Sequence, residues 1–491
     1  MPTQVKPRTS TATHPLGLRF EHVLAALFAS AIYIFCIHRQ LLADPDIWWH
    51  LKDAEYLFQH RSFIHRELFT YSVEGSKWMN PEWLSEAVYY LAWRLAGYRG
   101  LETTAILMIE ALAGGVCLLA WQRTRNVRAA LLAGCCFMLF ATVSIGPRTQ
   151  MFGWLCFLTE LAVLHAFRQG RDRLWFLPPL FLLWINLHGS WPIGIVFFAV
   201  FALCGMRGFE RGAIVARAWT PQQLRHMAII GLLCLFALFV NPYGWRLVVY
   251  PLTITTQHAL TLGAVQEWQS LDFHSFRGRA VFAMLAGLLF AGALRRRVWE
   301  LYDVVTLIVA SLAAFSYSRF LLLGGAVICP LLAREFVFDM RSVAKKEQPL
   351  LNAAIVALAG LFVATHLPSQ RELKSQSDAG YPVDAVAWLR QHPQSGEMLN
   401  AFDWGGYLIW NQPSVPVYID TRADVFEDSG ILLQYVDTIA LRTPIDGIGR
   451  GGVGYVLMPV GEPLVRVLRR STDWTVVYED RTAAVLIRKS R

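Results

Sequence analysis

The stretch Trp184-Ile185-Asn186-Leu187-His188-Gly189-Ser190-Trp191-Pro192 divides an apolar segment running from residue 174 to 206. As one long kinked helix, that segment is a single span. As two helices broken at His188-Gly189-Ser190, it is two spans, and the sidedness of everything after it reverses. Further apolar runs cover about 23–43, 102–122, 129–146, 151–167, 227–240, 280–294, 301–318, 320–333 and 350–366. With 174–187 and 192–206 counted separately, about eleven transmembrane helices are expected. Several are shorter than the ~20 residues a helix needs to cross the hydrocarbon core.

Basic residues choose between the two topologies. Eleven spans with a cytoplasmic N-terminus place 1–19, 123–128, 168–173, 207–226, 295–300 and 334–347 on one side, 71 residues with 20 Lys and Arg. The other side receives 44–101, 147–150, 188–191, 241–279 and 319, 106 residues with 11. The densities differ nearly threefold in the sense of the positive-inside rule. Ten spans would scatter the basic clusters over both faces.

Composition supports the membrane assignment. Of 491 residues, 55% are apolar and 16% charged, against roughly 45–50% and about 25% in soluble domains. The mean hydropathy is +0.38. A soluble multidomain enzyme, a disordered chain and a disulfide scaffold are all disfavoured, and a polytopic α-helical membrane protein remains. The net charge of +9 divides into +11 before His366 and −2 from there on. Its basic excess lies in short clusters between apolar runs, which is the pattern of membrane orientation and not of nucleic-acid binding. All eight cysteines lie inside apolar runs without ligand spacing, so neither disulfides nor zinc are expected.

Three regions follow. Residues 1–18, Thr- and Pro-rich, read as a disordered cytoplasmic N-terminus. Residues 19–366 read as the membrane domain with a large first outer loop, 44–101. Leu41-Leu42-Ala43 fits a signal-peptide cleavage site poorly, so the first run is taken as a retained span. Residues 367–491 read as a small extracytoplasmic α/β domain. Helices are expected over Val383–Gln391 and Pro463–Arg470, and strands over Pro416–Asp420 and Gly454–Met458. A hairpin joins Thr475–Tyr478 to Ala483–Ile487.

The first outer loop opens with Asp44-Pro45-Asp46-Ile47-Trp48-Trp49-His50, two carboxylates and an imidazole just past a span. Pro45 stiffens the turn and keeps Asp44 out of helical geometry. Asp44 and Asp46 either share a divalent cation, Mg or Mn, or divide into base and ligand. Pattern alone favours a plainer account, with Asp44 capping the helix and Asp46 solvated. Glu82 and Glu86 lie one helical turn apart. Other polar groups recur at the outer ends of spans: Arg148 and Gln150, Asn186 and His188, Asn241, Glu267 and Arg319. Each has a structural explanation of its own, but together they describe an outward cleft suited to a phosphate-bearing lipid, with Arg148 and Arg319 on the phosphate. In the tail, Asp420, Arg422 and Asp424 would share one face if the strand continued, as a recognition site.

These motifs resemble the GT-C superfamily of integral-membrane glycosyltransferases, and within it an uncharacterised bacterial group. The resemblance rests on Asp44–His50, Trp83-Leu84-Ser85-Glu86, Trp184–Gly189, Asn241-Pro242-Tyr243-Gly244, Glu267-Trp268, Ser318-Arg319, Gly405–Trp410 and Asp420–Asp424. It implies a cytoplasmic N-terminus and a polyprenyl-phosphate-linked sugar donor. It also implies an acidic motif in the first outer loop, here Asp44 and Asp46, that assists the acceptor, sometimes with a divalent metal. The second-loop DxD and the WWDYG-type motif of oligosaccharyltransferases are missing; Asp403-Trp404-Gly405-Gly406-Tyr407 only echoes the latter.

The expected function is glycosyl transfer from a polyprenyl-phosphate-linked donor to an envelope acceptor (glycan, lipid or protein) on the extracytoplasmic face of a bacterial inner membrane. Asp44 or Asp46 would be catalytic. His50, Glu82, Arg148, Gln150, Asn186, His188, Asn241, Glu267 and Arg319 would bind substrate. No nucleotide, haem or nucleic acid is expected. A metal-free, O-antigen-ligase-like enzyme relying on Arg and His is the nearest rival. The alternatives are a transporter or flippase for a lipid-linked substrate, with 174–206 as a discontinuous helix, or a non-catalytic envelope scaffold.

Overall fold

The computed structural model describes residues 18–257, 260, 266–336, 348–444 and 452–489. The N-terminal segment therefore lies outside the described residues except for Leu18, as does the basic cluster at 341–346. Each of the eleven apolar runs contains a helix. The first six runs give α1 (Phe20–Ile37), the latter part of α3 (Trp83–Thr124), α4 (Val127–Ala141), α5 (Gln150–Arg168), α6 (Leu177–Leu187) and α7 (Trp191–Cys204), with α2 (Asp46–His60) in the loop after α1. Among the described residues, four helices are by length and composition able to cross a membrane: α1, α3, α5 and Phe276–Leu294. A fifth span results if Pro349–Thr365 and Gln370–Asp378, bent by 60°, count as one.

The deciding stretch is broken where the sequence places the break. His188 is extended (φ −165°, ψ 146°) and α7 starts at Trp191 with Pro192 in its first turn. Proline there lacks an N–H to continue α6 and is well suited to open α7. The His188 ring accepts the Ser190 N–H at 3.1 Å, and Trp184 Nε1 donates to Ser190 Oγ at 3.0 Å, so the break is closed by its own side chains.

Helix α3 is 42 residues long and kinks at Ala96 and Gly97, where Gly97 takes φ +55°. The kink separates an outer-loop half, which carries Glu86, from the apolar half. At the opposite end of the bundle, β1 (Phe209–Arg211) and β2 (Ile214–Ala216) form a hairpin, and β3 (Trp299–Glu300) pairs parallel to β2. This small sheet ties together two basic segments and was not foreseen from the sequence.

The C-terminal region forms a four-stranded sheet in the order β4 (Glu397–Asn400), β5 (Val453–Pro459), β7 (Ala483–Arg488), β6 (Trp474–Glu479). β4 and β5 are parallel; the other pairs are antiparallel. The expected helices, the central strand and the hairpin are all present. The strand expected at Pro416–Asp420 is not in this sheet. Val417 instead makes an isolated parallel bridge to Thr70 in the outer loop. The Asn400 side chain explains the difference: its Oδ1 accepts the Tyr418 N–H and its Nδ2 donates to the Ile419 carbonyl, both at 2.8 Å. One side chain thus satisfies backbone groups that a neighbouring strand would otherwise claim.

Two hydrophobic cores result. One lies within the helical bundle. The other joins Ile47, Trp48, Leu51 and Tyr89 of the outer loop to Leu408, Ile409, Val417 and Leu457 of the tail. Outer loop and tail therefore pack as one body, and the candidate site lies where that body meets the bundle.

Candidate functional site

Asp44, Pro45 and Asp46 set up the first wall. Asp44 is extended (ψ 120°), Pro45 turns the chain, and α2 starts at Asp46. Asp44 Oδ1 accepts the Asp46 N–H at 3.0 Å, while Oδ2 is ion-paired with Arg148 Nε. A second Arg148 nitrogen is ion-paired with Glu267. Asp46 is only half-buried, and Trp49 Nε1 donates to it at 3.4 Å and to Thr421 Oγ1 at 3.1 Å. Burial, and next the neighbouring Asp44 charge, push the Asp46 carboxyl above its usual range.

The tail closes over this motif. A Cβ on Gly406 would lie 2.8 Å from the Pro45 carbonyl oxygen, and one on Gly405 would lie 2.5 Å from Asp420 Cβ. Both positions require glycine because backbones meet there. The Asp403–Tyr407 run thus serves packing in this fold. Tyr407 stacks on Tyr381 at 4.5 Å, and Trp48 meets both rings edge-on.

Glu82 organises the second wall from the N-cap position of α3. It accepts Thr149 Oγ1 at 2.7 Å, lies 3.2 Å from His188 Nε2 and 3.8 Å from His50 Nε2. His50 Nδ1 meets Glu86 at 2.7 Å, and Asn80 donates to Glu86 as well. Burial pushes the His188 imidazole down to about 4 and lowers His50 in the same direction. The His188 ring is therefore neutral at neutral pH. Because His188 Nδ1 accepts the Ser190 N–H, its proton sits on Nε2 and points at Glu82.

Arg319 joins this cluster, whose place is called the hollow below, from a single 3-10 turn, Ser318–Phe320, between two bundle helices. Its guanidinium lies over the Trp268 ring at 5.2 Å. Among the described residues it makes no ion pair; its electrostatic neighbours are Glu82, Arg148, Asp46 and Tyr250.

The fold thus brings together Asp44, Asp46, His50, Glu82, Arg148, His188, Glu267 and Arg319, which lie far apart in the sequence. Gln150 opens α5 next to them, buried, with neither amide atom hydrogen-bonded among the described residues. Asn186 is spent on structure: it accepts Trp83 Nε1 at 2.9 Å and donates to the Leu182 and Val240 carbonyls. Asn241 holds its own turn, accepting the Tyr243 N–H and donating to Leu238 and Gly244.

The tail charges do not share one face, because a helix starts at Ala423. Arg422 turns inward onto Asp420 and Glu67, and Asp424 accepts Tyr250 Oη at 2.6 Å. Glu67, Thr149, Tyr250 and Thr421 had no visible signal in the sequence. Each is a single polar residue in an irregular or apolar stretch, and only tertiary contact gives it a role.

Both oxygens of Asp44 are engaged by Arg148 and the Asp46 N–H. Among the described residues no three His, Cys, Asp or Glu side chains converge on a common point.

No family model matches the chain, and no curated protein matches its sequence. Solved structures do. The archaeal oligosaccharyltransferase AglB from Archaeoglobus fulgidus, in complex with an inhibitory peptide and a dolichol-phosphate, is similar with a TM-score of 0.52 at 14% identity. The match covers 90% of this chain and 69% of AglB. ArnT from Cupriavidus metallidurans, bound to undecaprenyl phosphate, is similar with a TM-score of 0.53 at 13% identity, covering 95% of this chain and 97% of ArnT. The chain thus shares the fold of these two proteins.

Proposed function

We propose that this protein is a GT-C-type glycosyltransferase of the bacterial inner membrane. It moves a sugar from a polyprenyl-phosphate-linked donor to an envelope acceptor on the extracytoplasmic face. In this reading the bundle has eleven spans, the N-terminus is cytoplasmic, and outer loop and tail lie outside. The observation that carries it is the Arg319 guanidinium, which has no ion pair among the described residues and has the half-buried Asp46 among its electrostatic neighbours. The fold shared with proteins solved with dolichol-phosphate and undecaprenyl phosphate supports the donor class.

The roles divide by how each group is held. Asp46 is the general base: its raised basicity and partial exposure suit it to take the proton of the acceptor nucleophile. The acceptor's lone pair forms the new bond to the anomeric carbon. The bond from that carbon to the phosphate oxygen breaks, and its electron pair leaves with the polyprenyl phosphate. Arg319 meets the charge that develops on the phosphate. Asp44 fixes the loop by gripping Arg148, and Arg148 in turn holds Glu267.

The test is sugar transfer by the full chain in lipid nanodiscs with a polyprenyl-phosphate sugar. Asp46→Asn should lower the rate by roughly 10²–10⁴, the usual share of a positioned base, with undecaprenyl-phosphate binding retained. Full activity in both Asp46→Asn and Asp44→Asn would refute the assignment. The break at His188–Ser190 favours a second reading, a transporter built on a discontinuous helix. Movement of the lipid-linked substrate across liposomes without covalent transfer would select it.

A further inference from the structure

Glu160 lies in α5, ten residues from Gln150 and so about 15 Å along the axis from the hollow. It has 0% exposure, and among the described residues neither carboxyl oxygen has a hydrogen-bond partner. No cation is paired with it there. The sequence makes room for it all the same: a Cβ on Gly194 of α7 would lie 2.6 Å from Glu160 Oε2. The proposed transfer has no use for this group.

Tyr302, at the start of the helix Leu301–Ser316, has Glu160 and Asp303 among its electrostatic neighbours. Its buried hydroxyl also lacks a partner among the described residues. The Tyr302 side chain lines a cavity of about 20 Å³ together with Arg123, His165 and Thr306. That is room for a single water molecule. Beyond the cavity lies the end of the bundle opposite the hollow, where Arg123 makes a two-pronged contact with Asp303 at 3.1 Å and 3.1 Å. Polar groups therefore lie between that end and Glu160: the Arg123–Asp303 pair, the cavity, and the Tyr302 hydroxyl, which has Glu160 as an electrostatic neighbour without a direct hydrogen bond to it.

An isolated carboxylate in an apolar interior is too costly to persist and takes up a proton instead. Ionisable groups at membrane depth ordinarily mark an ion or proton path. We propose that Glu160 is an intramembrane proton-binding site, loaded through the Tyr302 track from the end of the bundle opposite the hollow. Loading transfers one proton from a cavity hydronium to the carboxylate, leaving a carboxylic acid and water; release is the reverse. A sodium ion would need more oxygen ligands than Glu160 and Tyr302 supply.

The test is infrared spectroscopy of the full chain in lipid nanodiscs, compared with Glu160→Gln. At neutral pH the wild type should show a protonated carboxylic-acid carbonyl band that Glu160→Gln lacks. The band should shift in D2O, and Tyr302→Phe should slow that shift several-fold. Loss of a carboxylate band in place of the acid band, or identical spectra, would overturn the site. An unchanged exchange rate in Tyr302→Phe would overturn the track. Should Glu160→Gln fail to insert, titration of the wild-type acid band decides: disappearance on raising the pH supports a titrating site, and its absence at neutral pH refutes it.

Discussion

Arg422 and Arg319 are held in opposite ways. Arg422 is ion-paired on two sides: Asp420 accepts two of its hydrogen bonds, Glu67 lies 2.8 Å from a third nitrogen, and the Trp78, Phe69 and Trp49 rings surround it at 4.8, 5.6 and 5.7 Å. Arg319 has one ring, that of Trp268, and no ion pair among the described residues. Burying a charge is costly unless it is paired. The ion-paired arginine is therefore a clamp between outer loop and tail, and the other is the one that, in the proposed function, meets the donor phosphate. The same contrast separates Arg148, tied to Asp44 and Glu267, from Arg319, although the sequence presents them as equivalent.

Three measurements sharpen or break this contrast. Arg422→Gln leaves Glu67 and Asp420 buried without their cation. It should cost about 3–5 kcal/mol, read as a large drop in the thermal unfolding midpoint of the detergent-solubilised protein. A small drop would mean the clamp is not structural.

Arg319→Ala should leave that midpoint nearly unchanged while lowering transfer by roughly 10²–10³, the usual effect of removing one donor to a developing oxyanion. Undecaprenyl-phosphate binding should weaken with it. If Arg319→Ala unfolds the protein instead, the contrast between the two arginines collapses.

The smallest effect concerns His188, whose imidazole goes from its ordinary 6.5 to about 4 on folding because it is buried. Between those values the unfolded chain binds more protons than the folded one, so stability falls as pH drops from 6.5 towards 4. His50, lowered in the same direction, adds to the slope. His188→Gln should flatten the acid side of the stability profile measured between pH 8 and pH 4. An unchanged slope would show that other groups carry it.

Much of the fold was legible because apolar runs and turn residues act locally. The break at His188-Gly189-Ser190 is one case, since Pro192 and Gly189 oppose a continuous helix whatever lies around them. The tail hairpin and its central strand are another. Pro416–Asp420 was misread because its alternation is that of a strand, while the Asn400 side chain, a remote partner, takes up its hydrogen bonds. The candidate site was legible as a list of polar residues at the ends of spans. The division of labour was not, because Asn186 and Asn241 carry the same local signal as His188 and Arg319.

By itself the sequence determined the apolar segments, the concentration of basic residues on one set of loops, and the Asp44-Pro45-Asp46 turn. Those depend on composition, periodicity and backbone restriction within a few residues. Only the tertiary structure decided that Asp44 spends its charge on Arg148 while Arg319 keeps its own. Only it placed Glu67 under Arg422, and left Glu160 without a hydrogen-bond partner among the described residues of the bundle. Pairing of charges depends on which side chains meet across hundreds of residues, and no local pattern encodes that distance.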